Sequence, residues 1–140
     1  MRFKKILICF LCFAAIAWNL SIPAYAYEQT GIVSPRLTYI MRAGCNLSIS
    51  SGGQAAVDGS ITGYSSLVDS VAISAELQRL VNNQWITIKT WSKSADSYLL
   101  TLSETMQVSK GYTYRAQVTV TAYSGSSSET QVLTSKQIGY

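Results

Sequence analysis

VAISAELQRLVNNQWITIKTW, Val71 to Trp91, reads as two β-strands around a two-residue turn at Asn82 and Asn83. Asparagine tolerates positive φ better than most non-glycine residues, and the type I′ turn that matches strand twist needs positive φ at both central positions. Counting back from that turn sets Val81 against Gln84, Leu80 against Trp85, Leu77 against Ile88, Glu76 against Lys89 and Ser74 against Trp91. An acid meets a base and an aliphatic meets an aromatic, the cross-strand pairs that sheets favour. On this register Val71, Ile73, Ala75, Leu77, Val81, Ile86 and Ile88 share a face expected to be core. Ser74, Glu76, Gln78, Lys89 and the two tryptophans share the other.

Outward from the hairpin, period-two alternation continues in both directions, which is the mark of strands with one buried face. Leu37 to Ser51 reads as a first strand with a break or bulge near Ala43-Gly44. After the Gly52-Gly53 turn, Ala55, Val57, Gly59 and Ile61 face inward on a second strand whose small residues leave room for something opposite. Tyr64 to Ser70 and Lys93 to Ser97 read as loops. Tyr98, Leu100 and Leu102 mark one further strand, and Tyr112, Tyr114, Ala116, Val118, Val120 and Ala122 mark the longest alternation in the chain. Gly125 to Ser128 supplies a turn, and Glu129 to Gln137 returns as the last strand. No segment sustains a 3.6-residue period. About seven strands at this spacing predict a single all-β domain, an antiparallel two-sheet sandwich over residues 36–140.

Ahead of that domain, residues 1–26 have the three parts of a secretory signal: Arg2, Lys4 and Lys5, an apolar run from Ile6 to Trp18, and Ala24-Tyr25-Ala26 as a cleavage site. The run is short of the roughly 20 residues a spanning helix needs, so cleavage is favoured over a retained anchor. Residues 27–35 read as an extended lead. Cleavage would take three of the eleven basic residues with it and leave eight against seven acids, a net charge of +1, although the whole chain carries +4. Blocks of basic residues able to neutralise phosphates are then absent, which argues against nucleic acid as a partner. Of the 114 residues from Tyr27 to Tyr140, 47 are apolar and 31 are Ser or Thr, a mix that suits sheets with one dry and one wet face. The expected location is outside the cell, with cell-wall association as one possibility and no membrane contact once the signal is gone.

Cys45 would be the sole remaining thiol, so the fold must rest on its core and not on a disulfide. Alternation places Cys45 with Leu47 and Ile49 on the apolar face, where it reads as a buried small hydrophobe; a reactive thiol or intermolecular bridge is the alternative.

The segment Lys110-Gly111-Tyr112-Thr113-Tyr114-Arg115-Ala116-Gln117-Val118 resembles the penultimate strand of immunoglobulin-like and fibronectin type III domains. The resemblance implies that Tyr114 is a structural corner tyrosine whose hydroxyl bonds nearby backbone. The bridging cysteines and the core tryptophan of true immunoglobulins are missing. Taken whole, the chain is similar to a family of small secreted proteins of Gram-positive bacteria that share a signal peptide, a Glu-Leu-Gln-Arg…Trp hairpin and a Gly-Tyr-x-Tyr-Arg strand. That resemblance brings no activity, cofactor or ligand with it.

The sequence contains no histidine, so Ser-His-acid and Cys-His catalysis and the usual zinc sites are excluded. Its acids are scattered over loops and exposed strand positions, and neither a calcium loop nor a phosphate loop is present. The expectation is a protein without enzymatic activity or cofactor. What remains is surface: Trp85, Thr87, Lys89 and Trp91 on one hairpin face suit a saccharide or a protein partner, and Tyr64 and Tyr123 are weaker candidates. The bland alternative has Trp85 covering Leu80 and Trp91 covering the sheet edge or lying under the lead. Two classes of function follow. One is a secreted binding module for a cell-wall polysaccharide, a glycan or another exported protein. The other is a structural, self-assembling extracellular component without a discrete site.

Overall fold

A computed structural model describes residues 36–140; the expected signal peptide and lead lie outside the described residues. Eight strands follow one another: β1 (Ile40–Ile49), β2 (Gln54–Gly63), β3 (Ser70–Val81), β4 (Gln84–Ala95), β5 (Leu99–Gln107), β6 (Thr113–Ser124), β7 (Ser127–Thr134) and β8 (Ile138–Gly139). One sheet has the order β1-β2-β5 and the other β4-β3-β6-β7, with β8 also paired to β6. Every pair is antiparallel. The domain is the expected immunoglobulin/fibronectin type III-like sandwich.

Its core is written by the alternation. The central strands β2, β3 and β6 bury Ala55, Val57 and Ile61, then Val71, Ile73, Ala75 and Leu77, then Tyr114, Ala116, Val118, Val120 and Ala122. Removing such side chains from water drives the sheets together at about 25 cal/mol per Å² of apolar surface. Gly59 marks a close approach, because a Cβ there would sit 3.1 Å from Val118 Cγ1 and 3.2 Å from Ile73 Cγ2. Those two side chains fill the space the small residues of β2 leave.

The two local devices read from sequence are present. Asn82 and Asn83 have φ of 49° and 64°, as a type I′ turn requires. Tyr114 is 1% exposed and its hydroxyl donates to the Ser109 carbonyl at 2.8 Å, the corner bond that locks the approach to β6.

The central hairpin departs from the expected register. Val81 faces Gln84, Leu80 faces Trp85, Arg79 faces Ile86 and Gln78 faces Thr87, but then Ile88 and Lys89 together oppose Leu77. Beyond this bulge Glu76 faces Thr90, Ala75 faces Trp91 and Ser74 faces Ser92. Both Ile88 and Trp91 pack against the core. They are three residues apart and so of opposite parity, and only an inserted residue lets both face inward.

Four smaller features also move. The irregularity in β1 falls at Met41, between Ile40 and Arg42, and not at Ala43-Gly44. The extra residue lets Ile40 turn into the core while Met41 is 55% exposed. Strand β4 runs on to Ala95. The turn after β6 is Gly125 and Ser126 alone, with Gly125 at φ 55°, so Ser127 and Ser128 already pair in β7. The last strand divides around Ser135, whose N–H donates to the Ala116 carbonyl and whose Oγ accepts the Ala116 N–H, each at 2.9 Å.

The two sheets are also joined at their rim. The Glu129 carboxylate accepts the backbone N–H groups of Thr38, Tyr39 and Ile40, each at 2.8 Å. Burial pushes its pKa up, but the three N–H bonds outweigh this and hold it below the usual carboxylate range.

Candidate functional site

The bulge divides the four hairpin candidates between two faces. Trp85 and Thr87 lie before it and stay on the outer face of the larger sheet, in register with Leu80 and Gln78. Lys89 and Trp91 lie after it, opposite Leu77 and Ala75, and so turn toward the inner side. Trp91 is half-buried against the core, and the exposed Lys89 carries its Nζ 6.0 Å from the Trp91 ring centroid. The shared strip of two tryptophans is therefore replaced by one outer and one inner ring, because one inserted residue reverses every later side chain.

Around Trp85 the structure assembles residues that are distant in sequence. Arg115 on β6 pairs with Gln78 on β3, and its guanidinium carbon lies 4.2 Å from the Trp85 ring centroid. Its Nε donates to Gln78 Oε1 at 2.8 Å. Gln78 Nε2 donates to Glu76 Oε2 at 2.9 Å and reaches Thr87 Oγ1 at 3.4 Å, and Thr87 donates to Glu76 at 2.9 Å. The Gln78 amide is thus saturated on both ends, which is what allows it to be only 7% exposed on an outer sheet face. Through it the network fixes the plane of Arg115. Stacking on an indole adds a cation–π attraction of about 0.5–2 kcal/mol.

The Nε of Arg115 is engaged, and neither of its Nη groups has an acceptor among the described residues. Among those residues the one buried side-chain nitrogen or oxygen without a partner is Arg79 Nε, and Arg115 itself is partly exposed. A planar fork of donors held in place and open to water can receive a planar anion in two parallel bonds. Arg115 was not legible as a site residue, although parity alone sends it outward from the buried run of Tyr114, Ala116 and Val118. Its neighbours come from β3 and β4, and that pairing is not a local property of the sequence.

Further along the same face lies a shallow trough of about 330 Å³, lined by Ala72, Ser74, Ser92, Ser94, Thr119 and Thr121 and bordered also by Ile73 and Lys93. Ser92 and Ser74 are in contact at 3.5 Å, and Thr121 bonds Thr130 at 3.0 Å. Tyr123, 41% exposed, stands at its far end. Tyr64 is on the turn that follows β2 and takes no part in this face. The smaller sheet carries a second hollow of about 370 Å³ over Gly44, where Ser103 donates to Asp58 at 2.6 Å. Among the described residues no three His, Cys, Asp or Glu side chains gather as a metal-holding group.

Two residues assigned structural roles are also placed. Tyr114 makes the corner bond described above. Cys45 faces inward but is half-buried and not enclosed, because β1 is an edge strand whose inner side opens at the rim. Its Sγ contacts the Ala116 carbonyl at 3.6 Å. Burial pushes the Cys45 pKa up, and bonds from the Ser135 and Val118 backbone only partly offset this.

No protein-family model, curated protein or solved structure matches this chain.

Proposed function

We propose that this chain is an exported, non-enzymatic binding module that presents the outer face of its larger sheet to a cell-envelope polymer, a glycan or another exported protein. The observation that carries the reading is the partly exposed Arg115 guanidinium, laid on Trp85 and fixed through the buried Gln78 amide with its Nη groups free of acceptors among the described residues. Building a saturated network to aim a donor fork outward has no core to stabilise, and it suits recognition. Export follows from the leader, and intact-mass analysis of the secreted protein should give a chain starting at Tyr27.

Self-assembly through the open edges is the competing reading, and the edges themselves speak against it. Strand β4 carries the Ile88 bulge and two inward-side lysines, Lys89 and Lys93, and the Lys93 Nζ donates across to the Thr101 carbonyl of β5 at 3.2 Å. Glu104 holds an inward position on β5 opposite Val57. Bulges and inward charges are how sheets discourage edge pairing. The test is retention of the exported protein on isolated envelope material, comparing wild type with Trp85→Ala and Arg115→Ala, alongside sedimentation over a hundredfold concentration range. Retention lost in both variants with a monomer throughout supports the module. Concentration-dependent assembly that both variants preserve would overturn it.

A further inference from the structure

The outer strip has a direction and a chemistry. At one end is the Trp85–Arg115 stack, and from Arg115 the outward positions of β6 run Gln117, Thr119, Thr121 and Tyr123. Eight residues of strand span about 26 Å. Beside them β3 offers only Glu76, Ser74 and Ala72, so the middle of the strip is a hollow with short hydroxyl-bearing walls.

Each feature narrows the occupant. A protein partner is anchored by large apolar side chains seated in pockets, and the trough is lined chiefly by serines and threonines, with Ala72, Ile73 and Lys93. A densely charged polyphosphate needs many cations to displace its counterions, whereas this face presents Arg115 with Glu76 one row away. A strand of sugar rings meets both limits. Its hydroxyls exchange hydrogen bonds with Ser and Thr at little cost in side-chain entropy, and the Arg115 fork calls for a planar anion at one position.

We propose that the strip takes an acidic glycan, a polysaccharide strand bearing uronate carboxylates, with one carboxylate seated bidentately on the Nη groups of Arg115 and the following rings lying along β3 toward Tyr123. The Gln78 amide is central to this arrangement. One end holds Arg115 in plane, and the opposite end keeps the Glu76 carboxylate occupied with Gln78 and Thr87 donors. This inference rests on reading the outer face as the binding surface and adds the ligand class to it.

The exported protein is tested against a panel of galacturonate, mannuronate and alternating glucuronate oligosaccharides, each beside its carboxyl-reduced neutral counterpart. At least one uronate should bind and weaken tenfold or more on carboxyl reduction. Arg115→Lys, which keeps the charge and loses the planar fork, should weaken that uronate about tenfold. Thr119→Val should weaken it severalfold, with unfolding midpoints showing that both variants are folded. Uronates and reduced glycans binding alike, carboxylate-dependent binding that survives Arg115→Lys, or no uronate binding at all would each overturn the inference. If envelope retention is still lost in Trp85→Ala, only the ligand class falls; if no envelope material is retained either, the binding surface falls with it.

Discussion

Truncating the two hairpin tryptophans one at a time measures the bulge directly. Trp91 stands opposite the fully buried Ala75 and packs on the core, partly buried at the edge strand. A fully buried aromatic costs about 3–5 kcal/mol when cut to alanine, so somewhat less, about 2 kcal/mol, is expected for Trp91→Ala. Trp85 lies on the outer face opposite Leu80 and loses chiefly its stacking with Arg115. About 1 kcal/mol is expected for Trp85→Ala. The assay is urea unfolding of the purified exported protein, where a 1 kcal/mol difference at unchanged slope separates the midpoints by about 0.5–1 M. Coupling supplies a second reading. Arg115→Ala should be non-additive with Trp85→Ala by about 0.5–1 kcal/mol and additive with Trp91→Ala. An uninterrupted hairpin register would put both rings outside, so Trp85→Ala costing as much as Trp91→Ala would refute the bulge argument.

Glu129→Gln should lower stability at neutral pH by about 1 kcal/mol, because three backbone N–H groups lose a charged acceptor at a partly exposed site. The folded pKa of Glu129 lies below its unfolded value, so its contribution is whole above the usual carboxylate range and is lost as pH falls through the depressed value; urea midpoints of wild type and variant should converge in acid, and a pH-independent gap would contradict this. Tyr114→Phe should cost roughly 0.5–1.5 kcal/mol through the lost Ser109 bond, and an unchanged midpoint would remove the corner role. Cys45 should react with a disulfide reagent more slowly than a free thiol at pH 8, since burial raises its pKa, while unfolding should be indifferent to reductant; labelling as fast as free cysteine would show that partial burial does not suppress the thiolate.

The fold was legible because its information is local. Two asparagines fix a turn, period-two alternation assigns each strand a buried face, and Tyr114 marks a corner; none of these needs knowledge of which strands become neighbours. The two errors of register share one cause. Parity carries register only while no residue is inserted, and in both β1 and β4 the chain inserts one. Leu37, Tyr39, Met41, Cys45, Leu47 and Ile49 are all of one parity, so alternation shows no break in β1. What breaks the pattern is Ile40, a β-branched apolar residue at an even position, and its burial selects the bulge at Met41. In β4 the same signal is the odd spacing between Ile88 and Trp91.

The bulge in β4 serves the binding face and the edge through one inserted residue. Before it, Trp85 and Thr87 keep the parity that sets them beside Gln78 and, across β3, Arg115. After it, Lys89 and Lys93 take inward positions opposite Leu77 and Ile73, so that Lys93 only borders the hydroxyl trough, where a regular strand would have pointed both side chains outward over it. Two lysines on that face would have competed with Arg115 for any anion and added side-chain entropy to a surface otherwise made of short, stiff residues. Turned inward at the rim, they instead guard the opening between β4 and β5, with Lys93 capping the Thr101 carbonyl. A variant lacking Ile88 keeps each remaining pair in register, since Thr87 then leads directly to Lys89. The outer face should persist in it, while the straightened edge loses one of its defences against pairing, so self-association without loss of ligand retention is the expected outcome by sedimentation and envelope binding.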